Sequence, residues 1–277
     1  MNKNPTVSVV MITFNHEKFI KEAILGVLVQ DCDFDIEFII ANDKSTDSTD
    51  DVITKYLDQL TIPDNINIEY TNHQENKGMI PNFVWALKQA RGKYIALCEG
   101  DDYWTDPLKL QKQVGFLEEH EDYVMCFHRC KTLSIINGNQ VFKEQKLDAI
   151  DYYYSIENLL SYWNIPTASI VFRRQKETIP QDFLKVASGD IALAIYLFQF
   201  GKFYLFKEIM SIYRVGVGVS LQHKQFQMID YRVDLYYRIN KYYKSKYQKE
   251  IYTALFYVMQ RYTSSLKCKS GIHDVTF

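Results

Sequence analysis

Three carboxylates crowd around one glycine in Glu99-Gly100-Asp101-Asp102, directly after an apolar run over residues 93–98 that reads as a buried strand. Like charges this close repel one another unless something positive sits among them. A hard divalent cation answers that need: Mn2+ or Mg2+ commonly takes one or two carboxylates and completes its shell with substrate phosphates. The loop therefore predicts a cation held among Glu99, Asp101 and Asp102. Gly100 lets the backbone pass close to a ligand. The plain alternative is a solvated acidic turn before the helix that begins at Pro107, with Asp106 as its N-cap. Two other polar strand ends in the same half of the chain weigh toward the cation.

Those strand ends follow from the pattern of the first half. Residues 7–12 form an apolar, β-branched run with the length of a buried parallel strand, broken by Thr13-Phe14-Asn15-His16. Phe19, Ile20, Ala23, Ile24, Val27 and Leu28 then recur at helical spacing. Residues 36–41 are a second strand, ending in Asn42-Asp43. The stretch from Ser45 to Asp50 is dense in capping residues and opens a second helix. A third strand over 66–70, a turn at Asn76-Lys77-Gly78 and a helix with Pro81 in its first turn precede the fourth strand. Strand and helix in alternation predict an α/β fold with a parallel sheet, on which ligands sit beyond the carboxyl ends of the strands. Thr13, Asn15, Asp43 and the acidic loop all occupy that position.

The second half is less regular. Asn137-Gly138 between two strand-like runs marks a hairpin. Residues 156–163 read as a short helix, 168–173 as a strand, 189–200 as a helix and 202–206 as a strand. Two Tyr/Lys-rich helices over 226–243 and 248–264 end the chain, with the charged stretch 241–250 as a hinge between them.

A formal net charge of -2 gives no basic footprint for nucleic acid. The N-terminus has no apolar signal-peptide core, and no run approaches the length of a membrane span, so a soluble, cytoplasmic protein is expected. Five scattered cysteines read as reduced thiols, with Cys126 and Cys130 in a strand rather than a metal knuckle.

Four segments in order resemble the motifs of the family 2 glycosyltransferases: 7–17 (VSVVMITFNHE), 39–47 (IIANDKSTD), 76–78 (NKG) and Glu99-Gly100-Asp101-Asp102. Each alone is weak, but four in order are specific. The resemblance covers residues 5–120 strongly and fades toward 220. It implies a GT-A fold, in which a Rossmann-like nucleotide-binding sheet is flanked by helices, with a helical C-terminal extension. The implied division is a domain over 1–220, with a nucleotide-sugar half at 1–120 and an acceptor half at 121–220, and the extension over 221–277.

The resemblance also implies roles. Thr13 and Asn15 match the strand-end motif that lines the nucleotide pocket, with Phe14 in place of the usual Tyr. Glu17 matches a following acidic position, although a carboxylate favoured at a helix start reads equally well. Asp43 matches the acid that contacts uracil or ribose, and Lys77 a nucleotide-contacting position. Asp101 matches the metal-binding Asp of the Asp-x-Asp motif, with Glu99 at its first position and Asp102 following. Asp190, in Ser188-Gly189-Asp190, matches the carboxylate that opens a helix under the acceptor and serves as the base of an inverting transfer. The plain reading of Asp190 is an N-cap. The pair Tyr213-Arg214 matches one that relatives follow with a His two residues on. Gly216 stands there instead, and His223 is the nearest substitute.

The implied activity is transfer of a sugar from a nucleotide-sugar, UDP-linked by expectation, to a saccharide or lipid-linked acceptor in surface polysaccharide assembly. Trp104, Trp163 and the strand over 167–174 are candidates for an acceptor wall, against core packing for any one aromatic. Arg173 is a candidate contact for an anionic acceptor. The terminal helices leave a peripheral membrane contact and a homodimer open. The rivals are a catalytically silent sugar-nucleotide-binding protein and a nucleotidyltransferase, whose Gly-rich basic loop residues 11–18 lack.

Overall fold

The computed structural model describes residues 5–145, 155–161, 165–176, 180, 185–186, 188–217 and 225–270. Four parallel strands organise its first half: β1 (Val7–Thr13), β2 (Ile36–Asn42), β3 (Ile66–Asn72) and β4 (Tyr94–Leu97). They lie side by side in the order β3-β2-β1-β4. Side chains alternate along each strand, so β1 sends Val7, Val9 and Met11 to one face and Val10 to the other. Helices α1 (Ile20–Leu28), α2 (Thr49–Gln59) and α4 (Lys109–Glu119) cover the first face. Helix α3 (Met79–Gln89) packs on the second. Burial on both faces is what makes these strands read as unbroken apolar runs.

The second half extends the same sheet rather than starting another. β8 (Val171–Arg173) runs antiparallel to β4, followed by β6 (Tyr123–Ile136), β9 (Lys202–Arg214) and β5 (Tyr103–Trp104). β7 (Asn139–Glu144) pairs with β6 through the expected hairpin, whose Asn137 and Gly138 adopt φ of 51° and 78°. Positive φ at both central residues is the two-residue turn that matches strand twist. The sheet is therefore mixed: parallel in the first half, with mainly antiparallel strands added beyond β4.

Helices α5 (Ile156–Ser161), α6 (Gly189–Leu197), α7 (Gln225–Tyr242) and α8 (Gln248–Ser270) gather on the α3 face. Leu235, Tyr236 and Ile239 of α7 and Ile251 and Ala254 of α8 are buried in the same core as Leu159 and Ile195. The Tyr236 hydroxyl donates to the carbonyl of Leu160, and the Tyr243 hydroxyl to that of Ile195 at 2.8 Å. The residues of 241–250 expected as a hinge thus include a docked tyrosine.

Two expectations of the second half are corrected. Residues 167–169 form a short 3-10 turn, and only 171–173 are strand. Arg173 lies at the level of Tyr94, the first residue of β4, and so at the end of the sheet away from the strand C-termini. Its guanidinium donates to the carbonyls of Tyr123 (2.8 Å), His120 (3.1 Å) and Leu117, and to the Tyr94 hydroxyl (2.9 Å). Arg173 ties α4 to β6 and β8; it does not face an acceptor.

Trp104 is likewise core, with its indole N–H donating to the Ala168 carbonyl at 2.7 Å. Trp163 lies outside the described residues. Lys109 is fully buried with its Nζ 4.0 Å from the centre of the Trp104 ring and no hydrogen-bond partner among the described residues. Burial pulls its ammonium pKa down to about 7. Between pH 7 and the ordinary lysine range the folded chain holds it neutral while the unfolded chain takes a proton, so stability rises with pH through that window. Lys109→Met should raise the unfolding free energy at pH 7 by about 1–4 kcal/mol, with the gain shrinking toward pH 10. A gain that is absent, or constant with pH in denaturant titrations, would contradict this.

Candidate active site

The chain runs from β1 outward to β2 and β3 and then crosses to β4 on the other side of β1, so a topological switch point lies between β1 and β4. Ligand crevices open at such points beyond the strand C-termini. The residues there come from the loops after β1, β2 and β4 and from the start of α6.

The loop after β1 is locked to the loop after β2. Asn15, at φ 58°, accepts the Thr46 N–H through Oδ1 at 2.8 Å, and its own N–H donates to the Ser45 hydroxyl at 3.0 Å. Asparagine tolerates this left-handed conformation, which fits its occurrence here. The Glu17 carboxylate accepts the Ser48 N–H at 3.0 Å, while its N–H donates to Asp47 at 3.2 Å. The carboxylate thus sits at the N-terminus of α2, where the helix dipole favours it.

Asp43 is 3% exposed and holds the next turn. Its two carboxylate oxygens accept the N–H groups of Lys77 at 2.7 Å and Gly78 at 2.9 Å, and its carbonyl accepts the Asn76 side-chain amide at 2.9 Å. Gly78 has φ 88°, so the turn needs a residue free to adopt it. The Lys77 side chain is exposed.

The acidic loop lies along β1: the Gly100 N–H donates to the Ile12 carbonyl at 3.0 Å, and the loop closes with Asp102 N–H to the Glu99 carbonyl at 3.1 Å. A Cβ at Gly100 would come within 2.6 Å of the Thr13 hydroxyl and 2.9 Å of His16 Nδ1, so only glycine fits. Glu99 is half-buried, Asp101 is 8% exposed and Asp102 is buried. Burial, followed by repulsion from Asp101, Asp102 and Asp190, pushes the Glu99 carboxyl well up. Burial and then Asp101 do the same to Asp102.

Arg214, at the end of β9, clamps this loop without neutralising its centre. One guanidinium nitrogen donates to the Asp101 carbonyl at 2.5 Å, and the backbone N–H of Arg214 donates to Asp102 Oδ1 at 2.8 Å. A second guanidinium nitrogen pairs with Glu22 on α1, and the planar group lies 4.9 Å from the centre of the Phe19 ring and 4.5 Å from that of Tyr103. Its direct ion pair is with Glu22, its charge also lowers the Asp102 pKa, and Asp102 Oδ2 is buried with no hydrogen-bond partner among the described residues.

Asp190 stands in the first turn of α6. Oδ1 accepts the Ile191 N–H at 2.9 Å and Oδ2 the Thr167 hydroxyl at 3.1 Å. Burial raises its pKa, and these two hydrogen bonds oppose the rise. Its charge adds to the rise of the Glu99 pKa, which puts the two carboxyls within electrostatic reach of one another. Val217 ends the described part of the loop after β9, and His223 lies outside the described residues.

Two residues of the site, His16 and Glu22, carried no assigned role in the sequence, and Thr167 was read only as part of an acceptor wall; their contacts are with residues distant along the chain, at Asp101, Arg214 and Asp190 respectively. Among the described residues no three His, Cys, Asp or Glu side chains converge to hold a metal by themselves. The residues nonetheless fit a cation completed by a phosphate-bearing ligand: three crowded carboxyls share one loop, and Asp102 Oδ2 has no hydrogen-bond partner among the described residues.

The fold and this crevice define an α/β class with a ligand crevice beyond the ends of its parallel strands. Residues 8–179 match the family described as Glycosyl transferase family 2, and the chain belongs to that family. An uncharacterised protein of Mycobacterium tuberculosis is 36% identical over 215 residues, which is 75% of this chain and 58% of that protein. The chain thus spans less than two thirds of that relative's length. Among solved structures, the mannosyltransferase PcManGT from Pyrobaculum calidifontis, in complex with GDP-Man and Mn2+, is similar at TM-score 0.66 and 14% identity, over 99% of this chain and 77% of that one. S. aureus TarS 1–349, in complex with UDP-GlcNAc, is similar at TM-score 0.60 and 17% identity, over 85% of this chain and 66% of that one. At these identities the likeness establishes a shared GT-A-type fold.

The Asp43 anchor makes a prediction independent of activity. Asp43→Ala removes the acceptor of the Lys77 N–H and leaves the Gly78 N–H only the Asn76 Oδ1 at 3.1 Å, which should cost about 1–3 kcal/mol. A loss below about 0.5 kcal/mol in denaturant unfolding would mean that water replaces the carboxylate at no penalty.

Proposed function

We propose that the chain is an inverting glycosyltransferase that moves a sugar from a nucleotide-sugar, UDP-linked, to a saccharide or lipid-linked acceptor in surface polysaccharide assembly. The observation that carries this reading is the pair of facing charges at the switch point: a crowded acidic loop on one side and Asp190 at a helix start on the other. In this reading Thr13, Asn15, Glu17, Asp43 and Lys77 line or shape the nucleotide pocket. Asp101 holds Mn2+ or Mg2+, with Glu99 and Asp102 beside it. A divalent cation at Asp101 supplies positive charge for the departing diphosphate. Residues 1–120 serve the donor and 121–220 the acceptor, with 221–277 as an extension that offers a surface for a membrane or a second copy.

Asp190 has the features of a general base. The Thr167 hydroxyl and the Ile191 N–H orient its carboxylate, and burial raises its pKa toward the working range of the reaction. It takes the proton of the acceptor hydroxyl as that oxygen attacks the anomeric carbon, while the diphosphate leaves from the opposite face. Only the ionised form can do this, so the rate falls as pH drops through its raised pKa.

Turnover of a panel of UDP-glucose, UDP-galactose and their N-acetyl forms with Mn2+ tests the activity; UDP binding with no turnover favours a silent binding protein. Asp190→Asn should lower transfer at least about 100-fold and leave UDP binding within about threefold. Loss of both together would refute its role as base.

A further inference from the structure

His16 sits on the floor of the crevice with its ring nearly buried, its side chain 12% exposed. Its backbone is fixed from three sides. The N–H donates to the Thr49 hydroxyl at 2.8 Å, and the carbonyl accepts the N–H groups of Phe19 and Ile20 at the start of α1, both at 2.9 Å. The ring is oriented as well, with Nδ1 3.1 Å from Thr13 Oγ1. The Gly100 backbone passes so close to that Thr–His pair that no Cβ fits between them. The other nitrogen, Nε2, points at Asp101 Oδ2 across 3.8 Å.

That separation is too long for a hydrogen bond. Two metal bonds of about 2.1 Å each can span up to ~4.2 Å, so the gap matches two ligands facing one ion. A salt bridge would require the imidazolium form. With the Nδ1 proton donated to the Thr13 hydroxyl, Nε2 keeps its lone pair toward Asp101. Metal-ligating histidines are held in this way by an acceptor at the second nitrogen.

We propose that His16 Nε2 is a second protein ligand, beside Asp101, for the divalent cation of this site. The proposal rests on the cation reading above and deepens it. A mixed nitrogen and oxygen set shifts preference from Mg2+ toward Mn2+ and the later divalent metals, which accept imidazole more readily. Thr13 then acts as a positioning residue that holds the ring's orientation, its hydroxyl accepting the Nδ1 proton when Nε2 is bound. Gly100 keeps the Thr–His pair and the acidic loop in contact.

Pulsed electron paramagnetic resonance of the full chain with Mn2+ and UDP reads the ligand directly. The expected spectrum carries nitrogen modulation from a coordinated imidazole. His16→Gln should abolish that modulation, weaken Mn2+ at least about 10-fold and weaken Mg2+ less. Mn2+ bound without nitrogen modulation would overturn the His16 assignment and leave Asp101 standing. Absence of bound Mn2+ would overturn both this proposal and the cation reading beneath it. The wild-type spectrum decides whether any imidazole coordinates, and modulation that persists in a folded His16→Gln or His16→Ala variant would overturn the assignment to His16.

Discussion

Arg214 is the interaction on which the rest of the site depends. It is the last residue of β9 and reaches the acidic loop, α1 and the aromatic pair Phe19 and Tyr103 at once. Through it the added strands of the second half determine where Asp101 and Asp102 stand. Its charge is paired with Glu22, while its contacts to the loop use a backbone carbonyl and its own backbone N–H. The clamp thus gives the loop a fixed shape and offsets part of the charge of Asp102, while burial and repulsion among the carboxyls still hold Glu99 and Asp102 well above the usual carboxylate range. Crowded, buried carboxyls of this kind in a crevice mark a candidate functional site.

The same division between shaping and binding recurs around the crevice. Asp43 shapes the 76–78 turn, Asn15 and Glu17 shape the loop before α2, and Thr13 orients His16. The polar groups that remain to face a ligand are few and acidic. Preorganised groups of this kind need little rearrangement when charge develops in a reaction. Lys109 is a different matter: its buried amine beneath Trp104 lowers stability, and nothing in the structure assigns it a task.

The first half of the fold was legible because its strands are buried on both faces, so apolar runs and capping clusters mark nearly every boundary. Strand β2 and helix α2 match their sequence patterns within a few residues. The second half hides for identifiable reasons. β9 runs thirteen residues but carries Lys202, Lys207 and Glu208 and register shifts opposite β6, so periodicity exposed only its first five. β5 is two residues long and exists because of a partner some hundred positions away. The acidic loop and Asp190 were legible from residue type and order. The contacts of His16, Thr167 and Arg214 were not, because each joins segments that are distant along the chain, and Arg173 drew attention for its charge alone.

Isothermal titration of UDP into the wild type and Asp101→Asn, with Mn2+ and again with chelator, tests most directly the claim that the acidic loop holds a cation for a diphosphate. The account predicts tight UDP binding by the wild type only with Mn2+, and no Mn2+ dependence in the variant. Equal UDP binding by the wild type with and without Mn2+ would contradict it.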